Sequence, residues 1–200
     1  DLPAQWEEIK EKCYPSVEEL LRSGSYIGGP FLERFENSFA AYTGRKYAAG
    51  VSSGTDALKL AIQSFEFYES TTDVIIPANT FIADALAVSH QPKGSFNITL
   101  IDCTDFYQLD LEKTKIHLSA SRERYNNCIL LPVHLYGHPT DMQAVKALAA
   151  KYNCKIIEDA SQAHGARSRD EMVGTHADIC AYSLYPGKSL GAMGDAGIIT

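Results

Sequence analysis

At 200 residues, with 45% apolar and 22% charged side chains, the chain can bury one full core and is not a disordered sequence. Its net charge of −7 comes without a lysine or arginine cluster, which argues against nucleic-acid binding through a basic surface, although an anionic ligand can still be held locally. Five cysteines with no CxxC pair argue against a disulfide framework and for a reducing, cytoplasmic setting, and no apolar run approaches the roughly 18 residues of a membrane-spanning helix.

Residues 1–24 carry an amphipathic pattern (Trp6, Ile9, Val17, Leu20, Leu21) interrupted by Pro15. It predicts two short helices ending at Gly24, an N-terminal segment ahead of a domain over 25–200. Gly28-Gly29-Pro30 predicts a turn that opens a helix over 31–42, with Phe31, Leu32, Phe35 and Phe39 on one face and Gly44 as its stop. A strand–helix rhythm follows. Strands are expected over 47–51, 74–76, 98–101, 128–132, 155–157 and 179–183. Helices are expected over 55–65, 80–89 and 142–152, the last capped by Asp141. The polar stretches 91–96 and 119–127 read as surface loops. Thr200 closes a short apolar run with no cap or final helix, so the expectation is a domain cut in mid-course. Short apolar strands alternating with helices predict an α/β fold with a largely parallel sheet.

In open parallel sheets, ligands bind beyond the carboxyl ends of the strands. The polar residues just past the predicted strands are Ser52, Ser53 and Thr55; Asn79 and Thr80; Asp102; His134; Asp159 and Gln162; Ser183 and Lys188. They are expected to converge on one crevice. Lys188 stands in the most glycine-rich stretch, between two apolar segments. A buried ammonium is costly unless paired or neutralised, so two readings compete: an exposed turn, or a lysine that must lose its proton, as a Schiff-base lysine does.

Ser52-Ser53-Gly54-Thr55 joins a strand to a helix. Small residues there let the backbone approach a ligand, and the helix start offers free N–H groups to a phosphate; the plainer reading is a helix cap. Gly50-Val51-Ser52-Ser53-Gly54 also matches the nucleophile elbow of serine hydrolases, with Asp159 and His164 following in hydrolase order. Gly187-Lys188-Ser189 imitates the end of a phosphate-binding Walker loop but lacks the upstream glycine. His134 and His138 have a metal-pair spacing, but Gly137 and Pro139 break any helix between them, so no metal is expected. Asp159 and Lys188 together are the acid for a pyridinium nitrogen and the amine for a carbonyl that pyridoxal phosphate requires.

Several motifs occur in order: Tyr26-Ile27-Gly28-Gly29-Pro30, Ser52-Ser53-Gly54-Thr55-Asp56-Ala57-Leu58, Ile76-Pro77-Ala78-Asn79-Thr80-Phe81, Pro132-Val133-His134-Leu135-Tyr136-Gly137, Glu158-Asp159-Ala160-Ser161-Gln162-Ala163-His164-Gly165-Ala166, and Ser183-Leu184-Tyr185-Pro186-Gly187-Lys188-Ser189-Leu190-Gly191. In this the chain resembles the DegT/DnrJ/EryC1/StrS aminotransferases, pyridoxal-phosphate enzymes that aminate nucleotide-linked keto-sugars.

The resemblance implies the large domain of fold type I, the aspartate-aminotransferase type, with a small C-terminal domain missing from this chain. It implies that Lys188 carries the cofactor as a Schiff base, Asp159 faces the pyridine nitrogen, Gln162 lies near the ring hydroxyl and Phe81 stacks on the ring. Gly54, Thr55 and Ser183 would hold the phosphate; His164 receives no role. It further implies L-glutamate as donor, a dTDP-linked 4-keto-6-deoxyhexose as acceptor with carbon-3 amination as the alternative, and a homodimer with shared active sites. Relatives with histidine at the lysine position dehydrate instead, so Lys188 implies transamination. Ala196 departs from the family's usual glycine.

Overall fold

The computed structural model describes residues 1–68 and 70–200. Helix α1 runs unbroken over Leu2–Ser23, where two short helices were expected, with Pro15 inside it. A proline removes one N–H from the ladder, yet the helix continues on both sides of it. Asp1 caps the start, the Trp6 and Tyr14 rings meet edge-on at 5.4 Å, and an Arg22–Glu18 pair at 2.6 Å closes the last turn. None of its residues is buried. Helix α2 (Gly29–Thr43) follows, Gly44 taking the left-handed conformation that ends it.

The chain then alternates through β1 (Ala49–Val51), α3 (Gly54–Gln63), β2 (Thr71–Pro77), α4 (Ala83–Ser89), β3 (Ser95–Ile101), α5 (Leu111–Ser121), β4 (Asn127–Leu130), α6 (Met142–Tyr152) and β5 (Lys155–Asp159). A small hairpin, β6 (Arg167–Ser168) and β7 (Glu171–Met172), precedes β8 (Ile179–Ser183) and β9 (Gly197–Ile199). The main sheet has the order β1-β9-β8-β5-β4-β2-β3, and β3, β2, β4, β5 and β8 run parallel. β9 is antiparallel to both neighbours. The fold is the α/β arrangement with a largely parallel sheet that the alternation predicts.

Both sheet faces are covered, so the central strands are continuous apolar runs rather than alternating ones. In β2, Val74 and Ile76 pack with Leu58, Ile62 and Val88 of α3 and α4, while Ile75 turns to the other face against Leu118, Val145 and Leu148 of α5 and α6. A third cluster joins Phe39 of α2 to Tyr182 and Ile198, the Phe39 and Tyr182 rings meeting at 5.0 Å.

Three expectations are corrected. The stretch 91–96 is not all loop, because Ser95 and Phe96 open β3 and pair with β2. The stretch 119–127 is partly ordered: Ser119–Ser121 finish α5 and Asn127 begins β4. The helix expected from 80 begins at Ala83, because the Thr80 side chain is used in a hydrogen bond to Asp84 rather than as a cap. No described helix is long and apolar enough to cross a membrane.

Candidate active site

A cavity of about 450 Å³ opens at the carboxyl ends of β5 and β8, beside the start of α3. Gly54, Thr55, Phe81, Asp159, Gln162, Ser183 and Lys188 all line it, so the seven residues expected to bind the cofactor share one cavity. Its size is that of a small-molecule site.

The first wall is built by close backbone approach. Ser53 caps α3 by accepting the Asp56 N–H at 3.1 Å, which leaves the first N–H groups of the helix without an intrahelical partner. A Cβ on Gly54 would stand 2.6 Å from the Ser183 Cβ. One on Gly197 would collide with the Ser53 carbonyl. Glycine at both positions therefore lets β8, β9 and the start of α3 close into a cradle of N–H and hydroxyl donors.

Asp159 ends β5 and is 5% exposed. Its backbone is held by the segment around Val133: its N–H donates to Pro132 O and its carbonyl accepts from His134 N, each at 3.0 Å. Its carboxylate accepts the Ser161 N–H at 2.9 Å. The preceding Glu158 faces the opposite way and is fully buried. Glu158 accepts from the backbone N–H groups of Gly174, His176 and Ala177 and lies 2.9 Å from His134 Nε2. Burial pushes its pKa up, but the bond and charge of His134 and the backbone donors outweigh that and hold it below the ordinary glutamate value.

Gln162 accepts the Tyr136 N–H on its side-chain oxygen at 2.7 Å, so its amide nitrogen is the group left for a ligand. Lys188 sits at the end of a turn in which its N–H donates to Tyr185 O at 2.8 Å. It is half-buried and forms no ion pair among the described residues. Phe81 is 65% exposed despite facing the cavity.

Other predicted residues do not join the site. Ser52 is outside the cavity, its hydroxyl bonded to Asp56. Both ring nitrogens of His164 lack a partner, so neither a Ser52–His164 nor a His164–Asp159 hydrogen bond exists and the hydrolase reading fails. Burial first, and the Lys188 charge second, hold His164 below the ordinary histidine value. His134 is buried against Glu158, His138 stacks edge-on with Phe106, and no cluster fit for a metal occurs among the described residues. Asp102 pairs with Lys113 on the surface. Tyr185, Asp195 and Ser161 line the cavity without having been singled out in the sequence. Neither was Asp84, which is fully buried on α4; an acid three positions past an aromatic, on a face otherwise apolar, was the available signal.

The family model described as the DegT/DnrJ/EryC1/StrS aminotransferase family matches residues 7–200. The chain belongs to this family. It is 42% identical over 200 residues to the dTDP-3-amino-3,4,6-trideoxy-alpha-D-glucose transaminase of Streptomyces venezuelae, covering 100% of this chain and 50% of the relative. Among solved structures it resembles S. venezuelae DesV in complex with a ketimine intermediate, with TM-score 0.91, 40% identity, and coverage of 100% of this chain and 52% of that one. It also resembles NtdA from Bacillus subtilis with bound cofactor PMP, with TM-score 0.82, 31% identity, and coverage of 96% and 42%. The chain thus spans about half the length of the family members it matches. Family membership accounts for the arrangement of the sheet and for the cavity at its carboxyl edge.

Proposed function

We propose that this chain is the cofactor-binding part of a pyridoxal 5′-phosphate-dependent aminotransferase that moves an amino group from L-glutamate to a nucleotide-linked keto-sugar. The observation that carries the proposal is the meeting of a lysine without an ion pair among the described residues, a carboxylate held by a backbone N–H and a glycine-built donor cradle in one cavity. The donor set fits the cofactor: N–H and hydroxyl groups at Gly54, Thr55 and Ser183 for a phosphate, Asp159 for a ring N–H, the Gln162 amide for the ring hydroxyl, and Phe81 for the ring face. When bound, the cofactor supplies an aldehyde for Lys188 and an electron sink for the bond to the donor's α-carbon.

Lys188 would be the residue that holds the cofactor through its aldehyde and yields that place to the amino donor. Its free amine would move the proton between the donor's α-carbon and the cofactor's C4′, as base and then as acid. With no ion-pair partner among the described residues, Lys188 would give up no carboxylate bond to do so. Asp159 would be the carboxylate that holds the cofactor's ring N–H. The cradle fixes the phosphate so that the reacting carbon stays beside Lys188.

Exposed Phe81, Tyr136, Tyr185 and Met193, at 65%, 73%, 56% and 75%, leave apolar surface near the sheet's carboxyl edge, which supports cover by the rest of the protein and by the second subunit of a homodimer. The name of the S. venezuelae relative, a dTDP-3-amino-sugar transaminase, favours a dTDP-linked acceptor aminated at carbon 3 over the carbon-4 position first expected. Incubating the full-length protein with L-glutamate and a panel of 3-keto and 4-keto nucleotide sugars, and reading product mass and regiochemistry, tests this. Formation of a 3-amino sugar nucleotide is expected. Failure to aminate any member of the panel would overturn the proposal.

A further inference from the structure

Asp84 lies on the first turn of α4, three residues past Phe81, and none of its surface is exposed. The Thr80 hydroxyl donates to its Oδ2, while its Oδ1 has no hydrogen-bond donor. The charge that acts on it is the carboxyl of Asp159, which lines the cavity. Two carboxylates side by side in a buried place cannot both be ionised at reasonable cost, and no lysine, arginine or histidine pairs with Asp84 among the described residues. The proton must therefore sit on one of them. Asp159 has the Ser161 N–H as donor and opens to the cavity, so it is the better anion. Burial first, and the Asp159 charge second, push Asp84 well above the ordinary aspartate value.

We propose that Asp84 is a positioning residue that donates a hydrogen bond from a protonated carboxyl to the Asp159 carboxylate, fixing the face Asp159 presents to the cavity. The inference rests on the reading of Asp159 as the acceptor for the cofactor's ring N–H. A relay then runs from the Thr80 hydroxyl to Asp84, from Asp84 to Asp159, and from Asp159 to the ring. It satisfies the otherwise orphaned Oδ1 and uses every donor once. The segment that carries Asp84 also carries Phe81, so one turn sets both the ring's face and the acid at its nitrogen.

Two readouts on the full-length protein test this, using Asp84→Asn, whose amide can still donate, and Asp84→Ala, which cannot. In the cofactor-stripped protein at neutral pH, the infrared difference between wild type and Asp84→Asn should contain the carbonyl stretch of a protonated carboxyl. Its absence would overturn the proposal. In titrations with pyridoxal 5′-phosphate, Asp84→Ala should bind about tenfold more weakly, whereas Asp84→Asn stays within about threefold of wild type. Wild-type affinity in Asp84→Ala, or a tenfold loss in Asp84→Asn, would overturn it. If Asp84→Ala does not fold, the infrared band and the Asp84→Asn titration decide. A wild-type protein that binds no cofactor would defeat the proposed function, while the infrared band would still report on Asp84.

Discussion

A Cβ on Gly54 would stand 2.6 Å from the Ser183 Cβ and 3.0 Å from its Cα, so the start of α3 and the end of β8 are as close as two backbones with one side chain between them can be. Gly54→Ala must push α3 away from β8 and widen the donor cradle. The substitution should cost about 2 kcal/mol in urea unfolding and weaken cofactor binding about tenfold. A variant with the parent's midpoint and affinity would show that the cradle tolerates a methyl group.

Glu158 joins β5 to the 174–177 loop through three backbone N–H groups and to His134 at 2.9 Å. Its folded pKa is held below its unfolded value, so the unfolded chain binds more protons between the two. The resulting stability is present above the unfolded glutamate pKa and is lost as pH falls through the lowered folded one. Glu158→Gln puts an NH2 among N–H donors and should cost about 3 kcal/mol at neutral pH, by denaturant unfolding. The same variant should lose less further stability than wild type on acidification; parallel pH curves would contradict this.

Much of this fold is legible in the residues. β8 and α6 fall on the expected residues, because their apolar runs are bounded by clear signals such as the Asp141 cap. Helix α5 gives a weak pattern: Ile116 is 69% exposed, so its apolar residues do not mark one face, and only the Asp110 cap announces it. Pro15 predicts a helix break because its ring costs one hydrogen bond of the ladder, yet α1 continues through it. At the site, Gly54, Asp159 and Lys188 were legible because each stands just past a strand. Asp84 was not, since its role depends on a neighbour far away in sequence.

Ser52 donates to Asp56 and stands outside the cavity. Ser52→Ala removes one exposed hydrogen bond, a loss of about 0.5–1 kcal/mol in stability. Transamination should stay within about threefold of wild type, and a fluorophosphonate probe should label neither protein. Labelling of Ser52 would revive hydrolase chemistry.

Asp159→Asn keeps an acceptor for the Ser161 N–H but removes the charge opposite the ring nitrogen. Conversion of glutamate by the full-length variant should fall at least about a hundredfold, with the protein still folded by circular dichroism. Undiminished turnover would show that the ring nitrogen needs no carboxylate.

The central claim is that Lys188 is the amine that carries the cofactor. The direct measurement is borohydride reduction of the full-length protein loaded with pyridoxal 5′-phosphate, followed by digestion and peptide mass analysis. The account predicts a visible absorbance band that reduction removes, and a single phosphopyridoxyl group on the peptide containing Lys188, absent from Lys188→Ala. A colourless protein, or the label on a different lysine, would contradict it.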